Sequence, residues 1–329
     1  MDNNAISKKR SFRNIEFLHS TTFYVILFIA VFSTILAIVS ENFMTTYNVG
    51  IILRQMSFFG MAALGQTLVL LIGGIDLSVG STACFSGIIF SILMVKLGID
   101  PIISVTVALA VGALIGYING LLITKCKLTP FIVTLAISGI TAGFVLVTTE
   151  GYTISGISGP VLVLGQGMVG GVIPVPIIIF IVFLLILTYI LKFTPFGREL
   201  YSIGGNASAS RLVGINVDRK KRIVYTISGA LSALGGIMIA CRYNSGQPTI
   251  GGTWVMDSIT AAVIGGASMN GGVGTVLGTL VGALLMTVLS NSIVILNVNQ
   301  NWEQVMTGGV VLIAVIIDAV QTQIRRKAI

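Results

Sequence analysis

Two aspartates stand beside long stretches of hydrophobic residues, where a carboxylate is unusual. Asp76 lies in the segment 73–80, which reads GGIDLSVG, and Asp257 follows the segment 250–253, which reads IGGT. The two glycines of the first segment can end one helix, and Asp76 or Ser78 can cap the next by accepting hydrogen bonds from its free N–H groups. An ionisable residue within a membrane-spanning region is by default a functional-site hypothesis. A capped turn and a polar group of a functional site therefore both stay open for each aspartate.

The residues that usually perform catalysis are sparse and scattered. His19 is the only histidine, and the cysteines Cys84, Cys126 and Cys241 occur singly rather than in pairs or at metal-ligand spacings. We therefore expect neither a catalytic site nor a metal site. The sequence also lacks the phosphate-binding pattern G-x-x-x-x-G-K-[ST]. We expect no cofactor in this chain, and an energy source that is either another polypeptide or an ion gradient.

The elements that must position these residues are apolar and long. Of the 329 residues 55% are hydrophobic and only 9% are charged, with a mean hydropathy of +1.01. A soluble domain carries roughly a quarter of charged residues, and a helix needs about 20 apolar residues to cross a membrane. We predict an all-α integral membrane protein with about ten transmembrane helices in a single transmembrane domain, residues 1–329. The predicted spans are 21–40, 50–72, 77–95, 101–123, 129–148, 174–191, 223–241, 254–268, 273–296 and 302–318.

One region departs from a regular span. Glycines and Asp257 interrupt the hydrophobicity of residues 250–275, which predicts a broken or re-entrant helix. Such backbone is tolerated at membrane depth only where protein or a water-filled path surrounds it.

The basic residues predict the orientation. Sixteen of the 19 Lys and Arg fall in segments that a ten-span topology places on one side, which the positive-inside rule makes cytoplasmic. Both termini are then cytoplasmic, as the tails 1–20 and 319–329, and so is the loop 192–222. The net charge of +8 thus reflects orientation in a lipid bilayer and not nucleic-acid binding. Three basic residues fall elsewhere: Arg54, Lys96 and Arg242.

Several glycines are spaced for close contact between helices. In lipid, glycine at every fourth position lets two helix backbones approach closely. Two such ladders occur: Gly112, Gly116 and Gly120, and Gly274, Gly278 and Gly282. The segments 72–80 and 264–272 also share an Ile-Gly-Gly triplet and a later glycine at the same spacing, which suggests internal duplication as one hypothesis.

The loop 192–222 carries a second candidate feature. Asn206 is a favourable N-cap, Ala207–Val213 can form about two helical turns, and Gly214 suits the position after a helix. A short capped helix on the cytoplasmic side is suited to docking a partner. A solvated basic loop explains the same composition.

A set of short segments resembles the permeases of ATP-binding-cassette importers for ribose, xylose, galactose and autoinducer-2, most closely those of the ribose type. The resemblance spans about residues 20–318. Its segments are GGIDLSVGS at 73–81, TPFIVTL at 129–135, GGN at 204–206, RLVGINV at 211–217, QP at 247–248, DSI at 257–259, IGG at 264–266 and GGVG at 271–274.

The resemblance implies a transport subunit of the bacterial inner membrane that moves a ribose-like monosaccharide. It implies three protein partners: a second permease copy, which forms a homodimer with this chain, a cytoplasmic ATPase that binds ATP, and an extracytoplasmic sugar-binding protein. The fourth expected partner is the lipid bilayer. Candidate pathway residues are Gly73, Gly74, Asp76, Ser78, Gly80, Asp257, Gly265 and Gly266. The candidate ATPase-coupling helix comprises Asn206, Ala207, Ser208, Ala209, Ser210, Arg211, Leu212, Val213 and Gly214. Many relatives have an acidic residue after the capping Asn, whereas this chain has Ala207, so no particular salt bridge is expected there.

Two other classes of transporter are rivals. An ion-coupled secondary transporter usually places several ionisable residues inside its bundle, whereas Asp76 and Asp257 are the only acidic candidates away from the span ends. A passive channel would need a selectivity filter, and no obvious one is present. The sequence does not identify the sugar.

Overall fold

The computed structural model describes residues 21–299 and 301–327, and these ranges are almost entirely helical. The predicted tail 1–20, with His19, lies outside the described residues. The α-helices are α1 (Thr21–Val39), α2 (Thr46–Leu71), α3 (Val79–Ser91), α4 (Pro101–Lys125), α5 (Pro130–Thr149), α6 (Val163–Gln166), α7 (Val175–Phe193), α8 (Pro195–Gly205), α9 (Ala207–Leu212), α10 (Val217–Tyr243), α11 (Trp254–Ile264), α12 (Val276–Ile295) and α13 (Trp302–Lys327).

Short elements complete the described ranges. A π-helical turn, Ile92–Lys96, extends α3, and a 3-10 turn, Pro160–Leu162, precedes α6. Four two-residue strands form two antiparallel pairs, with Ile154 opposite Gly246 and Met168 opposite Pro174. The strands are β1 (Ile154–Ser155), β2 (Met168–Val169), β3 (Ile173–Pro174) and β4 (Ser245–Gly246).

Seven of the described helices are long and apolar enough to cross a membrane, which confirms the integral membrane prediction. They are α1, α3 with its π-helical turn, α4, α5, α7, α10 and α12. The helices α2, α11 and α13 coincide with the three other predicted spans, so the predicted order of segments holds throughout. Unlike the prediction, α13 continues past residue 318 and ends at Lys327.

Two helices form the centre of the bundle. Every residue of α2 from Met56 to Leu71 is buried, and α10 packs against α2, α3 and α4. The first glycine ladder makes the last of these contacts possible: a Cβ atom on Gly116 would overlap the carbonyl oxygen of Tyr225, and one on Gly120 would lie 2.7 Å from the Cα of Arg222. Glycine is thus required where α4 crosses α10, as the spacing predicted.

The segment from Asn244 to Ile264 is helical only in its second half, which is compatible with the broken or re-entrant helix predicted for residues 250–275. Its first half is not helical, and the Cys84 thiol lies 3.4 Å from the carbonyl oxygen of Pro248. The second half, α11, has 11 residues and spans only about half of the ~30 Å hydrocarbon core. Helix α12 returns beside α11, and the second glycine ladder again allows the contact: a Cβ on Gly282 would overlap the carbonyl oxygen of Ala261.

The two ends of the bundle differ in charge. We call one the basic end: it holds the segment Thr194–Arg222, the loop between α4 and α5, and the two turns that follow α2 and α11. The opposite end holds the loops after α1 and α3, the segment 150–174, and residues 296–299 and 301, which lie between α12 and α13. Buried Asn48 and Asn291 exchange two side-chain hydrogen bonds of 3.0 and 2.8 Å and so join α2 to α12 near the opposite end.

Candidate substrate cavity and coupling segment

Asp76 lies in the turn between α2 and α3 and is almost completely buried, with 1% of its surface exposed. One carboxylate oxygen accepts hydrogen bonds from the backbone N–H of Ser78 at 2.9 Å and from the Ser78 hydroxyl at 2.6 Å. The other oxygen accepts from the hydroxyl of Ser228, in α10, at 3.0 Å. The turn is thereby fixed to the middle of the bundle.

This arrangement differs from the simple helix cap that the sequence suggested. Ser78 is the N-cap residue of α3, but its side chain makes no capping hydrogen bond. Its hydroxyl is engaged by Asp76 and accepts a further hydrogen bond of 2.8 Å from the Asn119 amide. Asp76 bonds the N–H of Ser78 itself and not one inside α3. The two residues therefore connect three helices, α3, α4 and α10.

The carboxyl group of Asp76 has its described side-chain contacts as hydrogen bonds. No ion pair joins it to a described Lys or Arg. The carbonyl oxygen of neighbouring Ile75 accepts from Tyr225 at 3.3 Å and from Thr134 at 3.4 Å. Because an isolated buried charge is costly, this polar cluster is a candidate functional site. Whether Asp76 lies beside a pathway stays a prediction.

Three glycine-containing segments meet at the basic end, and we call their meeting point the glycine junction: Leu71–Gly74, Gly204–Gly205 and Gly271–Gly272. The N–H of Gly272 donates to the carbonyl oxygen of Leu71 at 2.9 Å. A Cβ on Gly204 would overlap both that oxygen and the backbone nitrogen of Gly272. Tyr201, one turn earlier in α8, donates to the carbonyl of Gly274 at 2.8 Å. Helix α8, which leads to the predicted coupling helix, thus contacts both turns directly.

The glycines predicted to line the pathway allow backbone conformations and close contacts that a residue with a side chain would hinder. Gly73 and Gly266 adopt left-handed conformations, with φ of 71° and 96°, that allow the chain to reverse. A Cβ on Gly80 would overlap the carbonyl oxygen of Gly251, and a Cβ on Gly265 would overlap Gly278. A Cβ on Gly74 would lie 2.6 Å from the Tyr225 hydroxyl. These glycines therefore permit close packing beside the two turns.

Asp257 instead lines a cavity toward the opposite end of the bundle. The cavity has a volume of about 210 Å³ and is enclosed by α2, α10, α11, α12 and α13. A second cavity, of about 630 Å³, shares four lining residues with it: Thr253, Asp257, Glu303 and Thr307. The walls are both aromatic and polar, since Phe58, Trp254 and Tyr243 stand beside charged groups. Such a lining suits a small polar ligand with apolar faces.

Asp257 is the only predicted site residue among the described residues that line the first cavity, and four charged or aromatic residues beside it were not predicted: Arg54, Arg242, Trp254 and Glu303. They come from four different helices, so no local motif brings them together. One indication was present in the sequence, because Arg54 and Arg242 are two of the three basic residues outside the predicted cytoplasmic segments. In the structure both arginines line the same cavity.

The predicted short helix in the basic loop is present as α9. Asn206 caps it by accepting a 2.9 Å hydrogen bond from the N–H of Ala209, and Gly214 follows it with a φ of 87°. Leu212 and Val213 are 90% and 75% exposed at its end. Arg211 forms a 2.7 Å ion pair with Asp218 of the same chain, so this arginine already has an acidic partner.

The segment is attached firmly to the bundle. Lys220, in α10, forms an ion pair with Glu199, in α8, and its ammonium also lies 4.9 Å from the centre of the Phe196 ring. The Ser202 and Ser210 hydroxyls are 2.8 Å apart and join α8 to α9. Exposed apolar side chains on an anchored element favour docking of another protein.

Comparison with known proteins assigns the chain to a family of transport proteins. Residues 48–315 match the family described as branched-chain amino acid transport system / permease component. This range includes the Asp76 turn, the cavity and the coupling segment. No solved structure matches the chain.

Curated relatives match over nearly the full length. The chain is 42% identical to the ribose import permease protein RbsC of Bacillus subtilis, over 86% of this chain and 88% of the relative. It is 36% identical to the protein of the same name from Escherichia coli K12, over 97% and 99%. It is 37% identical to the fructose import permease protein FrcC of Rhizobium meliloti, over 92% and 87%.

Proposed function

Because the chain belongs to the family of branched-chain amino acid transport system permease components, we propose that it is the membrane-spanning permease subunit of an ATP-driven importer for a ribose-like monosaccharide. The main support for this proposal is the similarity of the chain to ribose import permeases, which extends over most of this chain and most of each relative. The polar and aromatic cavity of about 210 Å³ supports the proposal, since it suits a small hydroxylated ligand.

The permease works with two other proteins in this proposal. A sugar-binding protein delivers the substrate at the opposite end, and a cassette ATPase docks on α9 at the basic end. ATP binds to the ATPase and not to this chain, in keeping with the missing phosphate-binding pattern. Docking on α9 is supported by the exposed Leu212 and Val213 and by the glycine junction, which connects α8 to the turns after α2 and α11.

The orientation follows from charge. The chain is a multi-pass membrane protein, and we place its basic end, with both termini, in the cytoplasm of a bacterial cell. The exposed Lys and Arg of the segment 192–222 then face the side that the positive-inside rule requires. The cavity faces the extracytoplasmic side, where a binding protein would release sugar.

A second, identical copy completes the pathway in this proposal. Helix α5 is exposed along much of its length, and a Cβ atom on Gly139 or Gly143 would meet no other atom within 4 Å. In lipid, two exposed glycines four residues apart provide a notch for the backbone of another helix. Leu135 and Val147, 53% and 76% exposed, flank the notch on the same helix. We assign this surface to the contact between two copies.

The experiment is sugar uptake in vesicles that contain the permease together with its ATPase and binding protein. We expect ribose accumulation that needs ATP inside the vesicle and is independent of proton or sodium gradients. Uptake driven by an ion gradient without the ATPase would instead support a secondary transporter. Unlabelled fructose, xylose and allose as competitors then define the sugar.

A further inference from the structure

The cavity toward the opposite end has two walls of different charge. Arg54 of α2 and Arg242 of α10 stand together, and Asp257 of α11 and Glu303 of α13 stand together. Groups of both signs therefore line one cavity. A ligand that carries hydrogen-bond acceptors and donors can bond to both.

The arginine wall has hydrogen-bonding capacity that the protein leaves unused. The Nε of Arg54 is buried and has no hydrogen-bond partner among the described residues. Neither arginine forms an ion pair with Asp257. An unsatisfied buried donor is destabilising, and a guanidinium offers five N–H groups in a fixed plane. Because both arginines line the cavity, their guanidinium groups favour a ligand that is rich in acceptor oxygens.

The acidic wall selects the class of that ligand. An anion would be attracted by the arginines but repelled by Asp257 and Glu303, and an amine would experience the reverse. A neutral polyol meets both walls, because each hydroxyl group can accept a hydrogen bond from a guanidinium and donate one to a carboxylate.

We propose that this cavity is a monosaccharide-binding subsite of the permease itself, in which Arg54 and Arg242 donate to sugar hydroxyls and Asp257 accepts from them. The inference rests on the proposed function of sugar import and adds a location and a set of residues to it. Trp254 forms part of the wall next to Asp257 and is 8% exposed. Its indole is therefore a natural reporter of occupancy.

The test uses the purified full-length permease without its partners. The chain has two tryptophans, so Trp302→Phe leaves Trp254 as the only one. Titration with ribose should change the Trp254 fluorescence in a saturable manner at millimolar concentrations. Arg54→Gln and Arg242→Gln should each weaken binding about tenfold or more, because a charged hydrogen bond contributes about 1.5–3 kcal/mol. Lys96→Gln, which removes an exposed cation outside the cavity, should leave binding unchanged.

A second measurement detects binding even where ribose does not change the Trp254 fluorescence. Thr253 is exposed and lines both cavities, so Thr253→Cys in a Cys126→Ser background gives an accessible thiol there. Ribose should slow its reaction with a small thiol reagent, and the anion ribonate should not. Protection by ribonate but not by ribose would overturn the assignment to a neutral sugar.

The outcomes separate this inference from the proposed function. If the complete importer accumulates ribose while the permease alone shows neither a fluorescence change nor protection, the subsite is wrong and the import function stands. If Arg54→Gln abolishes retention of the binding protein but leaves ribose protection intact, the arginines serve protein docking and not the sugar. If the importer moves no sugar at all, the proposed function itself fails.

Discussion

The carboxylate of Asp76 accepts a 3.0 Å hydrogen bond from the hydroxyl of Ser228, although 152 residues separate the two positions. The bond joins the turn after α2 to the middle of α10, the helix that also packs against α3 and α4. The same turn contacts Gly204 of α8 through Leu71 and Gly272. The buried carboxylate and the proposed docking segment are therefore connected through one short stretch of backbone.

Asp76→Asn tests whether the negative charge itself is used. Asn keeps the shape and one acceptor oxygen, so we expect a normal amount of permease in the membrane. The three donors from Ser78 and Ser228 would then face an uncharged amide, and hydrogen bonds to charged groups exceed neutral ones by about 1 kcal/mol or more. We expect sugar uptake to fall about fivefold to tenfold. Uptake equal to the native level would assign Asp76 a purely local structural role.

Gly204→Ala tests the glycine junction. The added methyl group would overlap the carbonyl oxygen of Leu71 and the nitrogen of Gly272. Both are backbone atoms, so neither can rotate out of the way as a side chain can. Such overpacking typically costs about 1–3 kcal/mol. We expect reduced uptake with the ATPase still bound, measured by transport and co-purification on the same sample. Gly205→Ala is the matched control, since a Cβ there meets no atom within 4 Å.

The order of helices could be predicted because each span is an apolar block of sufficient length. The helix α9 could also be predicted, since Asn206 and Gly214 act on their immediate neighbours. The cavity could not, because its arginines, Trp254 and Glu303 lie on four helices whose contacts depend on tertiary packing. For the same reason, no sequence pattern predicted the two hydrogen bonds between the side chains of Asn48 and Asn291, which are 243 residues apart.

Cys126 tests the orientation. It is exposed in the loop between α4 and α5, whereas Cys84 and Cys241 are buried. A membrane-impermeant maleimide should therefore label this cysteine in inverted vesicles and not from outside intact cells. Cys126→Ser is the control for specificity. Labelling from outside intact cells would reverse the orientation that the basic residues predict.

Gly143→Leu tests the contact between two copies. A leucine side chain would fill the notch on α5 and keep a second helix at a distance, without meeting any atom of its own chain at the Cβ position. We expect a shift from dimer to monomer in native mass spectrometry of the permease. Ala110→Leu, a similar change on the exposed part of α4, should leave the dimer intact. Equal dimer fractions in the two variants would remove α5 from the interface.

Leu212→Glu tests docking of the ATPase on α9. Leu212 is 90% exposed at the end of a helix that is capped by Asn206 and attached to α8. If this side chain enters a groove on the ATPase, a glutamate there would bury an unpaired charge at a cost of several kcal/mol. We expect loss of ATPase co-purification and of sugar-stimulated ATP hydrolysis, with a normal amount of permease because the membrane-spanning helices are unchanged. Leu212→Met retains an apolar side chain of similar size and should behave like the native protein. If the glutamate variant retains both activities, α9 is a solvated connector and the ATPase must dock elsewhere at the basic end.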